Sequence, residues 1–184
     1  MSHSFKTQAM VLKRVSVGEA DRIVTLLCPE RGKIVCVAKG VRKLKSSNRA
    51  NLEPGNIVEA LLIETKSLPI LTQSKLAADA TNVRQSLTGI SQLSQILEIF
   101  DRLFVEDFID EAAGELAFAI HQELVSENKR NGRIKQLLTE LVQTLGYQAL
   151  DETTHQSILD YVAEISEQKM KSFDFLQVRA WQAM

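Results

Sequence analysis

Five positive charges fall within eleven residues of this chain, and they form its most distinctive chemical feature. They are Lys39, Arg42, Lys43, Lys45 and Arg49. No acidic residue occurs between Glu30 and Glu53. Clustered lysines and arginines release condensed counterions when they neutralise nucleic-acid phosphates, which gives affinity without sequence preference. A charge run is equally typical of a solvated, mobile loop that keeps a protein soluble.

Other polar side chains accompany this cluster. Three short hydrogen-bonding residues that can reach phosphate oxygens lie within it, namely Ser46, Ser47 and Asn48. Lys13 and Arg14 lie on the first predicted strand, and Arg31 and Lys33 lie at a predicted turn. In a small barrel these four residues either line up with the cluster or lie scattered, because strand register decides which side chains share a face.

The patterns of common enzymes are missing. No two glycines are close enough to form a phosphate-binding loop, and no serine has the surroundings of a nucleophile elbow. His155, preceded by Asp151 and Glu152, has metal-site spacing, but that arrangement is more typical of a solvated helix start. Cys28 and Cys36 are too few for a Cys-rich zinc site and lie in apolar runs typical of a core. We therefore predict no catalytic residue, no metal and no cofactor.

The elements that position the cluster are predicted to be strands. The β-prone runs cover residues 9–15, 23–28, 33–38 and 57–64, and a fifth begins at Pro69. Turn signals such as Pro54-Gly55-Asn56 separate them, so the cluster falls in a loop between the third and fourth strands. Five short strands predict a small barrel, and an OB-fold has that number.

Beyond Asp79 the apolar period lengthens to that of amphipathic helices. The predicted helices cover residues 90–104, 109–124, 134–145 and 158–165, with a short last one after Ser172. Gly146 is a predicted helix stop, and residues 128–132 are a predicted loop. The fold class is therefore α+β with two domains, an N-terminal OB-fold β-barrel at 1–80 and an all-α helical domain at 81–184.

Charge divides at the same place, although the whole chain has a formal net charge of only −1. Residues 1–80 hold 13 basic and 7 acidic residues, whereas residues 81–184 hold 9 basic and 16 acidic residues. A basic half suggests a polyanionic partner, although two oppositely charged surfaces can also simply attract each other. No apolar run has the length of a membrane span and no signal peptide is evident, so we predict a cytoplasmic protein.

Several segments together resemble the RecO family of bacterial recombination mediators. They are TQAMVLK at 7–13, GEADRIVTL at 18–26, ERGK at 30–33, VAKGVRK at 37–43 and LEP at 52–54, in the family's order and spacing. The helical part matches more loosely, through LGY at 145–147 and KMKSFDFL at 169–176.

The resemblance implies a recombination mediator that is not an enzyme. Such a protein binds single- and double-stranded DNA and anneals complementary strands. It works with RecR and with the C-terminal tail of the single-stranded-DNA-binding protein, and so helps to load the RecA recombinase. On this basis the bacterial nucleoid is the expected place of action. The predicted DNA-binding residues are Lys13, Arg14, Arg31, Lys33, Lys39, Arg42, Lys43, Lys45 and Arg49.

One departure from the family concerns zinc. Many members carry a four-cysteine zinc module after the Leu-Gly-Tyr element, whereas residues 148–157 contain no cysteine. We expect that the module is deleted here, which puts in doubt any partner contact made through it.

The acidic helical domain is the expected site of partner docking. An acidic tail that ends in an apolar residue requires a hydrophobic groove with a nearby cation. The candidate cations are Lys129, Arg130, Arg133 and Lys135. Two alternatives to the mediator stay open: a protein-interaction scaffold with weak DNA binding, and a small enzyme whose site the sequence does not reveal.

Overall fold

The computed structural model describes residues 3–43, 46, 48–106, 108, 110–149, 152–155 and 157–172. The chain forms two compact units. The first comprises Met1–Ala80 with Glu106–Ile109, and the second comprises Thr81–Val105 with Asp110–Met184.

The first unit is a five-stranded OB-like barrel. Its strands are β1 (Ser4–Val17), β2 (Asp21–Cys28), β3 (Gly32–Ala38), β4 (Ile57–Ile63) and β5 (Ile70–Ala78). Their order around the barrel is β1-β2-β3-β5-β4, and β4 pairs again with β1. β1 is long enough to pair with both neighbours: residues 4–10 pair with β4 and residues 10–17 pair with β2.

The barrel closes through a short seam between β3 and β5. This parallel pairing comprises two residue pairs, Val37 with Ile70 and Ala38 with Leu71. Near the start of β3, Lys33 forms a parallel bridge with Glu106, which explains why residues 106–109 belong to the first unit. The interior is apolar, and Val24, Leu26, Cys36 and Val58 are fully buried there.

The second unit is helical. After a 3₁₀ turn at Val83–Gln85 come the helices α2 (Leu87–Leu103), α3 (Glu111–Val125), α4 (Asn131–Thr144) and α5 (Ile158–Ile165). The first unit also contains a four-residue helix, α1 (Asn48–Asn51), between β3 and β4. α3 packs on α4, and α2 contacts both α3 and α5. None of the helices in the described ranges is long and apolar enough to cross a membrane.

Local sequence sets the helix ends. Side-chain oxygens of Ser86, Asp110 and Ser157 accept hydrogen bonds from backbone N–H groups in the first turns of α2, α3 and α5. These contacts satisfy donors that a helix start leaves without partners. Gly146 follows α4 with a φ of 86°, and its N–H donates to the carbonyl of Gln143 at 2.9 Å. The prediction of a helix stop there is confirmed.

The predicted α+β class, with an N-terminal β-barrel followed by helices, is confirmed. Three details differ from the sequence prediction. β1 extends to Ser4 and Val17 because it has two partners. α1 interrupts the stretch that was predicted as a loop, and Asn131 and Gly132 begin α4 instead of ending a loop. The short helix predicted after Ser172 lies outside the described residues.

Candidate nucleic-acid interface

The basic segment between β3 and β4 is fastened to the barrel at both ends. Val41 and Leu52, which bracket most of the charged residues, are 1% and 0% exposed and belong to the barrel core. Between them, Arg42, Lys43 and Arg49 are exposed. Because apolar anchors flank them, these three described charges lie at a defined place on the barrel.

A second set of contacts ties this segment to the turn between β1 and β2. The N–H of Gly40 donates to Oδ1 of Asp21 at 2.7 Å. The backbone N–H of Arg42 donates to the carbonyl of Ala20 at 2.9 Å, and its Nη1 donates to the carbonyl of Gly18 at 2.9 Å. Gly18 and Gly40 both have positive φ, at 57° and 64°, a region that favours glycine. The two loops therefore form one connected surface at the end of the barrel.

α1 is fastened to β5 by two asparagines. Oδ1 of Asn48 accepts hydrogen bonds from the N–H and the hydroxyl of Ser74, at 3.0 and 2.9 Å. Nδ2 of Asn51 donates to the carbonyl of Ser74 at 2.8 Å. Nδ2 of Asn48 donates to the carbonyl of Thr72 at 3.4 Å, and a contact of this side chain with phosphate stays a prediction. Ser47 lies outside the described residues.

A β-bulge determines where Arg14 points. Val11 pairs with Leu26 and Lys13 pairs with Thr25, so Leu12 is an extra residue in β1. Before the bulge, odd-numbered residues such as Val11 face the barrel interior; after it, the inward positions are even-numbered. Arg14 therefore lies opposite the buried Val24 and shares its face.

Arg22 shares that face as well. It pairs with Ser16 on β1 and with the buried Ala38 on β3, two positions before Val24 on β2. Nη1 of Arg14 forms an ion pair with Oε1 of Glu53, which follows the core residue Leu52. Guanidinium groups thus occupy inward positions at the end of the barrel where the basic segment begins.

The charged groups around Arg22 lie close enough to change its pKa. Burial lowers the pKa of the Arg22 guanidinium, and the nearby Arg14, Arg49 and Arg42 lower it further, whereas Glu53 raises it. Like charges disfavour the protonated form when they lie close enough to interact.

We define the basic end as the set of six residues Arg14, Arg22, Lys39, Arg42, Lys43 and Arg49. Lys39 is exposed next to Gly40 at the end of β3, and Lys45 lies outside the described residues.

The other predicted DNA-binding residues do not join the basic end. Arg31 and Lys33 lie at the turn between β2 and β3, six residues or more along β3 from Lys39, or roughly 20 Å in an extended strand. The guanidinium of Arg31 lies over the ring of Phe5, 4.0 Å from its centroid. Lys13 is exposed on the outer face, because it pairs with Thr25 while Arg14 faces inward.

Arg22 and Glu53 were not selected from the sequence. A signal for Arg22 existed: Val24, Leu26 and Cys28 alternate as inward residues of β2, and Arg22 continues that series. A basic side chain at an inward strand position requires an anion or solvent nearby. Glu53 ends the stretch without acidic residues, but nothing in the sequence pairs it with Arg14.

Three of the four candidate cations of the helical unit interact with Gln92 or Glu123. Nζ of Lys129 donates to Oε1 of the buried Gln92 at 2.8 Å. Nε of Arg130 lies 3.3 Å from Oε1 of Glu123, and Arg133 also lowers the pKa of Glu123. Lys135 is exposed on α4. Glu123 therefore already balances part of the positive charge here.

The histidine and the cysteines that the sequence analysis considered as metal ligands form no metal-binding group in the described part of the chain. Nε2 of His155 lies 2.6 Å from Oε2 of Glu164 on α5, and Asp151 is not among the described residues. No group of three or more potential metal ligands occurs within the described ranges. Cys28 and Cys36 are buried free thiols.

Comparison with known proteins places this barrel in a family. The family model described as Recombination protein O N terminal matches residues 1–79. DNA repair protein RecO of Dehalococcoides mccartyi is 30% identical over 145 residues, which is 79% of this chain and 57% of that protein. The RecO of Salinibacter ruber is 30% identical over 157 residues, 83% of this chain and 60% of that protein.

The chain belongs to the RecO family. Another relative, RecO of Heliobacterium modesticaldum, is 39% identical over 99 residues, or 54% of this chain and 36% of that protein. The chain thus spans about one third to three fifths of the length of these curated relatives. Two of the segments that carry the resemblance to RecO, at 18–26 and 37–43, are those joined by the hydrogen bonds of Gly40 and Arg42.

Proposed function

We propose that this chain is a recombination mediator in DNA repair, without enzymatic activity, that binds single- and double-stranded DNA through the basic end. The relatives named DNA repair protein RecO support the repair role. The observation that carries the proposal is the basic end itself: four arginines and two lysines around one end of an OB-like barrel, with Glu53 as the acidic group that acts on Arg22.

The barrel favours contacts with phosphates over contacts with bases. Single-stranded nucleic acid usually binds to an OB-fold by stacking its bases on aromatic side chains. Phe5 is the one aromatic residue among the first 80, and Arg31 covers its ring. Affinity must therefore come mainly from lysine and arginine, which predicts weak base preference and strong salt dependence.

The finer steps of the mediator role are also part of the proposal. Annealing requires two polyanionic strands to approach, and the basic end would screen their repulsion. We assign docking of RecR and of the single-stranded-DNA-binding protein tail to the acidic helical domain, with Lys129, Arg130, Arg133 and Lys135 as candidate cations for the tail. Loading of RecA would follow indirectly, on DNA in the bacterial nucleoid.

A salt titration tests the proposal. Fluorescence anisotropy with labelled single-stranded DNA of mixed sequence would be measured between 50 and 200 mM salt. If five or six phosphates are neutralised, log K should fall against log salt with a slope of about −3.5 to −4.2. Two DNAs of different base composition should bind within about threefold of each other. Weak, salt-insensitive binding would instead support the scaffold alternative.

A further inference from the structure

Arg22 carries hydrogen-bond donors that the barrel does not use. Its Nη1 is buried, and it has no hydrogen-bond partner among the described residues. A buried donor without an acceptor costs free energy, and the cost is greater for a charged group. Such a group fits a site that an oxyanion fills when a ligand binds.

The neighbouring Arg14 already has an acceptor, the partly exposed carboxylate of Glu53. Glu53 pairs with Arg14, and its side chain is 37% exposed, against 25% for Arg14. A carboxylate and a phosphate offer a guanidinium the same fork of two acceptor oxygens. Since the pair is only partly buried, its net contribution to stability is modest, and a phosphate can replace the carboxylate at small cost.

We propose that Arg14 and Arg22 form a subsite for one phosphate group, and that Glu53 occupies this subsite as an internal oxyanion when no phosphate is bound. The proposal deepens the proposed function and rests on it where the phosphate belongs to DNA. Arg42 and Arg49, both exposed, act electrostatically on Arg22 and add positive charge near the subsite.

A competing carboxylate has a functional consequence. Every phosphate that enters must displace Glu53, so affinity is held below what four arginines would give. A mediator has to release DNA after handing it on, and Glu53 would speed that release by returning to Arg14. Glu53 is then a residue that sets affinity and not one that binds DNA.

The test compares Glu53→Gln with Glu59→Gln in the full chain. Glu59 is an exposed residue of β4, so the control removes the same charge from the same unit at another place. Binding would be measured with labelled single-stranded DNA by anisotropy, and with inorganic tripolyphosphate by the shift in melting temperature. The two probes distinguish a nucleic-acid phosphate from a free one.

We expect Glu53→Gln to bind DNA about three- to tenfold more tightly than wild type, with a similar salt slope because both proteins neutralise the same phosphates. Glu59→Gln should stay within about twofold of wild type. Tripolyphosphate should raise the melting temperature of Glu53→Gln more than that of the other two proteins. A folded Glu53→Gln that binds DNA no more tightly than Glu59→Gln overturns the proposal.

The failure of DNA binding as such gives a different result. If neither wild type nor Glu53→Gln binds DNA at low salt, the proposed function fails, and tripolyphosphate alone decides whether the subsite exists. If Glu53→Gln does not unfold cooperatively, Glu53→Asp replaces it. That variant keeps the charge but shortens the reach to Arg14, so it should tighten DNA binding about two- to threefold. Unchanged binding by a folded Glu53→Asp would then overturn the proposal.

Discussion

The guanidinium of Arg42 donates a hydrogen bond to the carbonyl oxygen of Gly18 at 2.9 Å, across 24 positions of sequence. This contact joins the basic segment after β3 to the turn between β1 and β2. Arg42 therefore has two roles, since it contributes charge to the basic end and holds one loop against the other. Lys43, its exposed neighbour, contributes charge from the same segment.

Replacing Arg42 should affect both stability and DNA binding. We expect Arg42→Ala to lower the free energy of unfolding by about 0.5–1.5 kcal/mol, because the bond to Gly18 is lost. Lys43→Ala, the matched control, should change it by less than about 0.5 kcal/mol. Both variants should weaken DNA binding. Urea denaturation measures the difference, and equal stability of the two variants would show that the Gly18 contact is not stabilising.

Asn56 should be important for the stability of the barrel. It is 3% exposed, and its Nδ2 donates to the carbonyls of Ala50 and Asn51 at 3.2 and 3.1 Å. Its Oδ1 accepts from the N–H of Ala80 at 3.3 Å. Asn56→Ala removes these three hydrogen bonds and leaves the buried N–H of Ala80 without this partner, so we expect a loss of about 1–3 kcal/mol in the free energy of unfolding. The exposed Asn128→Ala serves as control, and a similar small loss in both would contradict the assignment.

The two cysteines should be chemically inert in the folded protein. Burial raises the pKa of both Cys28 and Cys36 to about 12. At pH 8 only about one thiol in ten thousand is then ionised, and the thiolate is the reactive form. A thiol reagent such as dithionitrobenzoate should label neither residue until urea unfolds the protein. Rapid labelling of either cysteine under native conditions would show that the barrel opens.

Glu98 should make the stability of the helical unit depend on pH. Burial alone raises the pKa of Glu98, but hydrogen bonds from Ser172 and Lys171, together with Arg102, outweigh it, so the pKa lies below its ordinary value. The backbone N–H groups of Lys171 and Ser172 lie 2.7 Å from the two carboxylate oxygens. The resulting stability is fully present above the ordinary pKa of a glutamate and is lost as pH falls through the lowered one.

Glu98→Gln should remove that dependence. We expect it to cost on the order of 1–2 kcal/mol near pH 7 and to make the unfolding free energy less sensitive to pH below about 4.5. Glu115→Gln, on the exposed side of α3, is the control. Urea denaturation between pH 3 and 7 is the measurement, and parallel pH curves for wild type and Glu98→Gln would refute the assignment.

The sequence was sufficient to predict the five strands and the longer helices because each of them has a strong local signal. Short β-prone apolar runs predict β2 and β3 to within two residues, and the amphipathic-helix spacing of apolar residues around Leu138 predicts α4. The position of the basic segment followed directly from those elements. The short α1 was missed, because four residues carry no periodic pattern and its contacts with Ser74 are long-range.

The composition of the basic end depended on register, which a single sequence does not determine. The bulge at Leu12 turns Arg14 inward, and the residue types around Leu12 do not predict a bulge. Pairing of β2 with β3 places Arg22 next to Ala38 and puts Lys33 at the far end. For this reason the predicted set contained Arg31 and Lys33, which lie elsewhere, and lacked Arg22.

The most direct test of DNA binding by the basic end compares two double variants of equal charge. Lys39→Ala with Lys43→Ala removes two charges from the basic end, and Lys66→Ala with Lys75→Ala removes two exposed charges from the β4–β5 hairpin. Anisotropy with single-stranded DNA would be recorded across a salt series. We predict about a tenfold or greater loss and a salt slope shallower by roughly 1.4 for the first variant, and less than about threefold loss for the second. Equal losses of affinity in the two variants, or no binding by the wild type at low salt, would contradict DNA binding by the basic end.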